Sequence, residues 1–474
     1  MLTYDLAQHS ESPLYESLYR CIRDDILAGA LLPHDRLPSK RSFARNLGVS
    51  VITVEGAYRQ LAAEGYIASH ERKGYYVQDI APRQTAPKPQ KEHVVEHEKI
   101  FSVADFSSTS SQSSASFARL WERALRDTFT SEPEESLYAC QPAQGSLRLR
   151  QAIASWLGHS RGIVANPDQI VITAGAPMLY SLVALLMENS STVALESPGY
   201  RRLPSVYEAL GMHVAYLPLD QEGIDCNLLE QSDAKLVHVM PSHQFPTGRV
   251  TSIARRYKLL GWASHAEGRY IVEDDYDCEF RLSGKPIPAL SSIDTEGKVI
   301  YLSTFSNSLS PSLRIAFGVF PPEFESDLER MLRCFSATVG SINQIALARI
   351  IESGIYDRHI NKHRNTARNA RDCFINALRA TSMVERFMFE EYNSGLHFVL
   401  SIKTDAKAHD IAEEAEKHGV CLVPLEDYDM GSLLAPDDRA RFVMQYDGIE
   451  HAALMSAACI ICKSVAAAEH RAVG

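Results

Sequence analysis

From about residue 101 to the C-terminus, short runs rich in β-branched and aromatic residues alternate with helical patterns; DQIVIT, VALES, YIVED and VIYLSTF are such runs. Strands separated by helix-length segments pair in parallel through crossovers, and helices then cover both faces of the sheet. The expected fold is therefore an α/β domain with a mostly parallel sheet. At 474 residues and 52.7 kDa the chain exceeds one ordinary core, so at least two domains are expected.

With 45% hydrophobic and 23% charged residues, the composition excludes a disordered or fibrous chain. The net charge of -11 excludes a molecule that is basic all over, so any nucleic-acid contact has to sit in a local patch. No apolar run approaches the roughly 20 residues that span a bilayer, and MLTYDLAQHSESP carries neither a basic nor an apolar leader segment. A cytoplasmic protein with no membrane partner is expected. Nine cysteines without framework spacing suit reduced thiols. Cys459 and Cys462 form a CxxC in an Ala-rich helical pattern with no second pair. They are expected to be packed helix neighbours, and no metal site is expected.

Residues 1–80 have a different rhythm. After Pro13, Leu14, Leu18, Ile22 and Ile26 share one helical face, and Gly29 and Pro33 end that helix. LPSKRSFARNLGVSVITVEGAYRQLAAEGYI then predicts helix, tight turn, helix. Ser39 and Ser50 are N-caps, Phe43, Ala44 and Leu47 form a buried stripe, and Gly48 is the left-handed corner residue. Val54, Ala57, Tyr58 and Leu61 face inward on the second helix. YIASHERKGYYV reads as two short strands around a basic turn at Arg72, Lys73 and Gly74. The whole is a winged helix-turn-helix.

LPSKR, LGVS, TV, AY, L-x-x-EGY and KGYYV stand in the order found in the GntR class of regulators, which residues 12 to 78 resemble closely. The resemblance implies double-stranded DNA as partner, with the second helix in the major groove and helix N-termini and wing on phosphates. It assigns phosphate or groove contacts to Ser39, Arg41, Ser50, Thr53, Tyr58, Lys73 and Gly74. Many relatives carry a basic residue after the V-S, where this chain has Val51, and Glu55 faces the same side. Base readout then falls to Ile52 and Thr53, through apolar contact with thymine methyl groups. Residues 81–100, with repeated Pro and both charge signs, are expected to be a solvated linker in which His93 and His97 ligate nothing.

In residues 101–474, YACQPAQGSLRLRQAIASWLGHSRGI, DQIVITAGAPMLYSLVALL, VALESPGYRRL, MPSHQFPTG, YIVEDDYDCEF and YLSTFSNSLSPSLR follow the order of fold-type I aminotransferases. Together with the N-terminal module this resembles the MocR-type family, and its GABA-responsive members in particular, over nearly the entire chain. The resemblance implies a homodimer, a small-molecule effector, and a site for pyridoxal phosphate. It places Asp274 against the pyridine nitrogen, Tyr276 on the phenolic oxygen, and Gly175 with the hydroxyls of Ser303 and Ser306 and with Arg314 around the phosphate. Tyr200 and Arg202 match effector-side positions.

The departures carry the functional expectation. Asn307 stands where those enzymes have their cofactor lysine, and a carboxamide forms no Schiff base and shuttles no proton. Ala176 and Pro177 weaken the phosphate cup, although Pro177 suits a first helical turn. Asp427 stands where the GABA-responsive members have an arginine for the effector carboxylate. The expectation is a transcription regulator whose aminotransferase-like domain, without catalytic residues, senses an amino compound or pyridoxal phosphate without turnover. The alternative is a pyridoxal-phosphate-dependent aminotransferase with a DNA-binding appendage, rescued by a lysine such as Lys285. Within the first reading two branches stay open: pyridoxal phosphate held without a covalent bond, or a pocket that has lost it.

Overall fold

The computed structural model describes residues 3–4, 13–71, 73–80, 103–107, 115–188, 190–283, 288–390, 393, 395–435 and 437–473. The linker with His93 and His97, the wing residue Arg72, and Lys285 lie outside the described residues. The chain divides into two compact units, residues 1–98 and 99–474.

The small unit contains α1 (Leu14–Leu27), α2 (Lys40–Leu47), α3 (Val51–Ala63), β1 (Ile67–His70) and β2 (Gly74–Val77). Leu18, Ile22 and Ile26 of α1 are buried as their spacing predicts, but Leu14 in the first turn is half-exposed and Tyr19 is buried in its stead. Ser39 Oγ accepts from Ser42 N at 3.2 Å and starts α2; Gly48 ends it at φ +67°. Ser50 Oγ accepts from Thr53 N at 3.1 Å and starts α3. Val54, Ala57, Tyr58 and Leu61 pack from α3 against Leu18, Ile22 and Phe43, and the antiparallel β1–β2 pair closes the core with Ile67 and Val77. Each buried Val, Leu, Ile or Phe among them stabilises the unit by about 1.5–3 kcal/mol.

The large unit begins with β3 (Ala104–Asp105). Its main sheet is built from β4 (Ile170–Thr173), β5 (Thr192–Ser197), β6 (His213–Asp220), β7 (Gly223–Ile224), β8 (Ala234–Val239), β9 (Tyr270–Asp274), β10 (Val299–Thr304) and β11 (Ala316–Val319). The order is β4-β11-β10-β9-β8-β5-β6-β7. β11 runs antiparallel to both its neighbours and β7 to β6; the remaining pairs are parallel. β5, β9 and β10 are buried along their whole length, which is why they read as continuous rather than alternating apolar runs.

The remaining strands are β12 (Phe387–Glu390), β13 (His397–Lys403), β14 (Val420–Cys421), β15 (Val423–Pro424) and β16 (Arg439–Gln445), and all but β14 form a smaller sheet. Its order is β12-β13-β16-β15, all antiparallel, while β14 pairs in parallel with β3. The last helix, His451–Val473, corrects one sequence expectation: its segment His451–Arg471 is long and apolar enough to cross a membrane. Lys463 and scattered Ser and His residues hide this from a search for unbroken apolar runs. Here Leu454, Ala457, Ala458, Ile461, Val465 and Ala468 are buried in the core of the large unit. Cys459 and Cys462 lie on this helix, the first exposed and the second half-buried.

The parallel strands all deliver their following loops to one edge. Asp274 ends β9, Thr304 ends β10, and helix Ala176–Leu186 opens just after β4. Ligands of open α/β sheets bind at this carboxyl edge.

Candidate functional site

In the small unit, the two capped helix starts leave Ser39, Arg41 and Ser50 exposed, with Lys73 exposed on the wing turn. Thr53 is half-buried, its hydroxyl 2.8 Å from that of Ser50. Gly74 has φ +103°, and a Cβ there would meet the Arg36 guanidinium. Tyr58 is a correction: it is fully buried and its hydroxyl donates to Pro38 O at 3.0 Å, so it cannot reach a phosphate or groove. The helical period that aligns it with Val54 and Leu61 decides its direction. Ile52, by contrast, is 80% exposed near the start of α3. Glu55 is ion-paired with Lys40 at 2.6 Å, which offsets its charge on that face.

In the large unit, Asp274, Tyr276, Ser306, Asn307, Arg314, Tyr200 and Arg202 come together around one cavity of about 540 Å³. Asp274 is buried and accepts from the Tyr180 hydroxyl at 2.6 Å; His238 Nε2 stands 3.4 Å from the same oxygen, and Tyr207 holds His238 Nδ1 at 2.9 Å. Burial beside Asp274 pushes the Tyr180 and Tyr207 hydroxyls well up, so both stay protonated. The neighbouring acids have their own partners. Glu273 accepts from Leu290 N and Ser291 N, each at 2.7 Å, and Asp275 pairs with the buried Arg161 at 2.6 Å. A buried carboxylate without such partners would cost several kcal/mol.

The loop after β10 is tied down by Thr304, whose Oγ1 accepts from Ser306 N at 3.1 Å and donates to Ser306 Oγ at 3.0 Å. Asn307 Nδ2 donates to Tyr276 O at 3.2 Å. Arg314 follows a 3-10 turn at φ +49° and lies against Gly175, where a Cβ would collide with the guanidinium. Gly175 N-caps helix Ala176–Leu186 and itself does not line the cavity; Ala176 and Pro177 do. No lysine is among the described residues that line it.

Two further assignments are corrected. Ser303 is buried and donates to Asp275 O at 3.0 Å. With a strand period of two, it shares the face of Tyr301, and Thr304 is the hydroxyl that reaches the cavity. Asp427 accepts from His409 Nε2 at 2.8 Å and does not line the cavity; Tyr428, one residue on in the 3-10 turn Leu425–Tyr428, does.

Sequence reasoning missed the aromatic wall. Arg201 lies over the Tyr428 ring at 4.9 Å, Tyr428 meets Phe245 edge-on at 5.3 Å, and Phe245 meets His397 at 5.2 Å. PGYRR and SHQFPTG contain Arg201 and Phe245, but nothing in their spacing distinguishes these from their neighbours. Tyr276 directs its hydroxyl at His243 Nδ1 (3.1 Å), which is also 2.8 Å from Asp277 Oδ2. Burial, then Asp275, pushes the Asp277 carboxyl well up, and burial, then His243, pushes His397 well down. His243, Asp277 and His397 bring ligand-type atoms within 4.8 Å of one another, a cluster the sequence did not announce.

Residues 14–77 match the bacterial regulatory proteins of the gntR family, and residues 108–445 match aminotransferase class I and II. The uncharacterized HTH-type transcriptional regulator YhdI of Bacillus subtilis (strain 168) is 35% identical over 427 residues, 90% of this chain and 90% of its own length. The probable rhizopine catabolism regulatory protein MocR of Rhizobium meliloti is 29% identical over 440 residues, 89% of this chain and 88% of its own. Among solved structures, Pyrococcus horikoshii kynurenine aminotransferase superposes with TM-score 0.69 at 22% identity, over 78% of this chain and 92% of that one. This last likeness establishes the fold.

Proposed function

We propose, for a chain that belongs to the MocR-type branch of the gntR family of bacterial regulatory proteins, that its aminotransferase-like domain senses a small amino compound or pyridoxal phosphate without turning it over. The protein is a DNA-binding transcription regulator of that type. Ser39, Arg41, Ser50, Thr53, Lys73 and Gly74 hold the operator backbone, and the exposed Ile52 meets thymine methyl groups. The functional unit is a homodimer that presents two such modules to paired half-sites.

The observation that carries the sensing reading is Asn307 on the wall of a cavity otherwise furnished for pyridoxal phosphate. The residues present fit that group. Asp274 is a buried acceptor for the ring nitrogen, its direction fixed by Tyr180 and His238. Ser306 and Arg314 suit a phosphate, and Gly175 is the residue that lets the guanidinium approach the helix start. Bound there, the cofactor would supply an electron-poor pyridine ring. The chain's own residues would bind and orient it, but Asn307 can neither form a covalent bond to it nor move a proton, and the lining lacks a lysine among the described residues. Tyr200 and Arg202 form the effector side.

The test is borohydride trapping of the full chain with pyridoxal phosphate, followed by peptide mass mapping, with Asp274→Ala as control for surface lysines. Wild type and control are expected to give the same adducts. A reduced adduct on a lysine of the large unit that disappears in Asp274→Ala would overturn the reading and favour the aminotransferase alternative.

A further inference from the structure

Asn307 does more than lack an amine. Its Nδ2 donates to Tyr276 O at 3.2 Å, and a main-chain oxygen only accepts, so this contact fixes the amide with Nδ2 toward Tyr276. Oδ1 then faces away from Tyr276. Asn307 is half-buried on the cavity wall, and among the described residues its Oδ1 has no hydrogen-bond partner. A hydrogen-bond acceptor is therefore offered to the ligand from a position where a cofactor-binding enzyme of this fold offers an amine.

From this geometry we propose that the cavity selects pyridoxamine 5′-phosphate, the aminomethyl form, over pyridoxal phosphate, the aldehyde form, with Asn307 as the specificity-determining residue. The inference rests on the reading of the cavity as a pyridoxal-phosphate-type site. An aldehyde oxygen is itself an acceptor, so facing Oδ1 it leaves two acceptors unpaired. A protonated aminomethyl group donates to Oδ1, a charge-assisted hydrogen bond. With a lysine the aldehyde would be favoured, because a covalent bond would form; without one that advantage is gone. The discrimination then follows from hydrogen bonding alone, and its scale is about tenfold.

The cations on the described lining of the cavity are Arg201, Arg202 and Arg314. Arg314 lies against Gly175 at the start of helix Ala176–Leu186, and Arg201 is held over the Tyr428 ring. The acids on the lining are Asp274, engaged by Tyr180, and Asp277, engaged by His243. No lysine that could compete for the aldehyde or repel the ammonium is among the described residues that line the cavity.

The experiment is isothermal titration of the full chain with pyridoxamine 5′-phosphate, pyridoxal phosphate and 4-deoxypyridoxine 5′-phosphate, with Asp274→Ala subtracted to remove aldehyde reaction at surface lysines. Wild type is expected to bind the amine at least about tenfold tighter than either other ligand. Asn307→Ala brings the three affinities together. Asn307→Lys reverses the order: its amine adds to the aldehyde carbon, water leaves, and a visible Schiff-base absorbance appears. Equal or tighter binding of pyridoxal phosphate or the deoxy analogue by wild type overturns the selectivity and leaves the site reading standing. Preference for the amine that survives Asn307→Ala overturns the role of Asn307. Absence of heat with all three ligands overturns the site reading itself, and the selectivity with it.

Discussion

Glu196, near the end of β5, is enclosed behind Met240 and Gln244: Oε2 accepts from Met240 N at 3.2 Å, while Oε1 is buried without a partner among the described residues. Burial raises its carboxyl from 4.5 to about 8, and burial likewise raises Glu273 and Glu279 to about 7. For an acid whose folded value is raised, the folded state holds the proton more tightly than the unfolded chain. Its stabilisation is complete below about 4.5 and is lost as the pH climbs to about 8. The large unit should thus melt at lower temperature at pH 8 than at pH 5, and Glu196→Gln should flatten that decline by about 1 kcal/mol per pH unit within the window. Thermal melts from pH 5 to 8 check this; parallel slopes for variant and wild type would show that Glu196 keeps its ordinary value. Single residues differ in how far their place in the fold is legible from the sequence. Asp274, Ser306, Asn307 and Arg314 reach the cavity because a strand end and a short loop leave little freedom. Asp427 misses it because one step along a 3-10 turn rotates the side chain by about 120°.

At the scale of elements, α2 and α3 were legible because caps, corner glycine and apolar stripe all agree. Ser50→Ala removes the N-terminal side-chain cap of α3 together with the Thr53 hydroxyl contact, and should cost the small unit about 1 kcal/mol. Denaturant melts of the small unit check it, and an unchanged midpoint would mean that water replaces the cap fully. Tyr58 shows which signal to weigh when two conflict. Its place in a DNA-contact motif suggested exposure, but its helical phase put it in the core. Ser303 repeats the lesson on a strand, where alternation turns it toward Asp275 and gives Thr304 the cavity. The central strands were readable as buried runs. β15 of the small antiparallel sheet and β14, which pairs with β3, were not, because each is two residues long, too short to carry a period.

For the whole molecule, motif order revealed two domains and their kinds, because each motif answers a local demand: a cap, a corner, a strand end, a phosphate. The aromatic wall of Arg201, Tyr428 and Phe245 was not legible, since it joins segments distant in sequence whose only shared property is where the fold puts them. In the proposed account, a catalytic scaffold that lost its lysine has become a sensor coupled to a DNA-binding module. Coupling between a ligand site and a DNA site is reciprocal and is typically 5–150-fold in affinity, about 1–3 kcal/mol. The direct measurement is fluorescence anisotropy of a labelled duplex from the protein's own upstream region, titrated with full chain in the presence and absence of pyridoxamine 5′-phosphate. The ligand is expected to shift DNA affinity by at least about fivefold in wild type and to leave Asp274→Ala unshifted. Identical wild-type affinities with and without ligand, at concentrations that saturate the cavity, would contradict it.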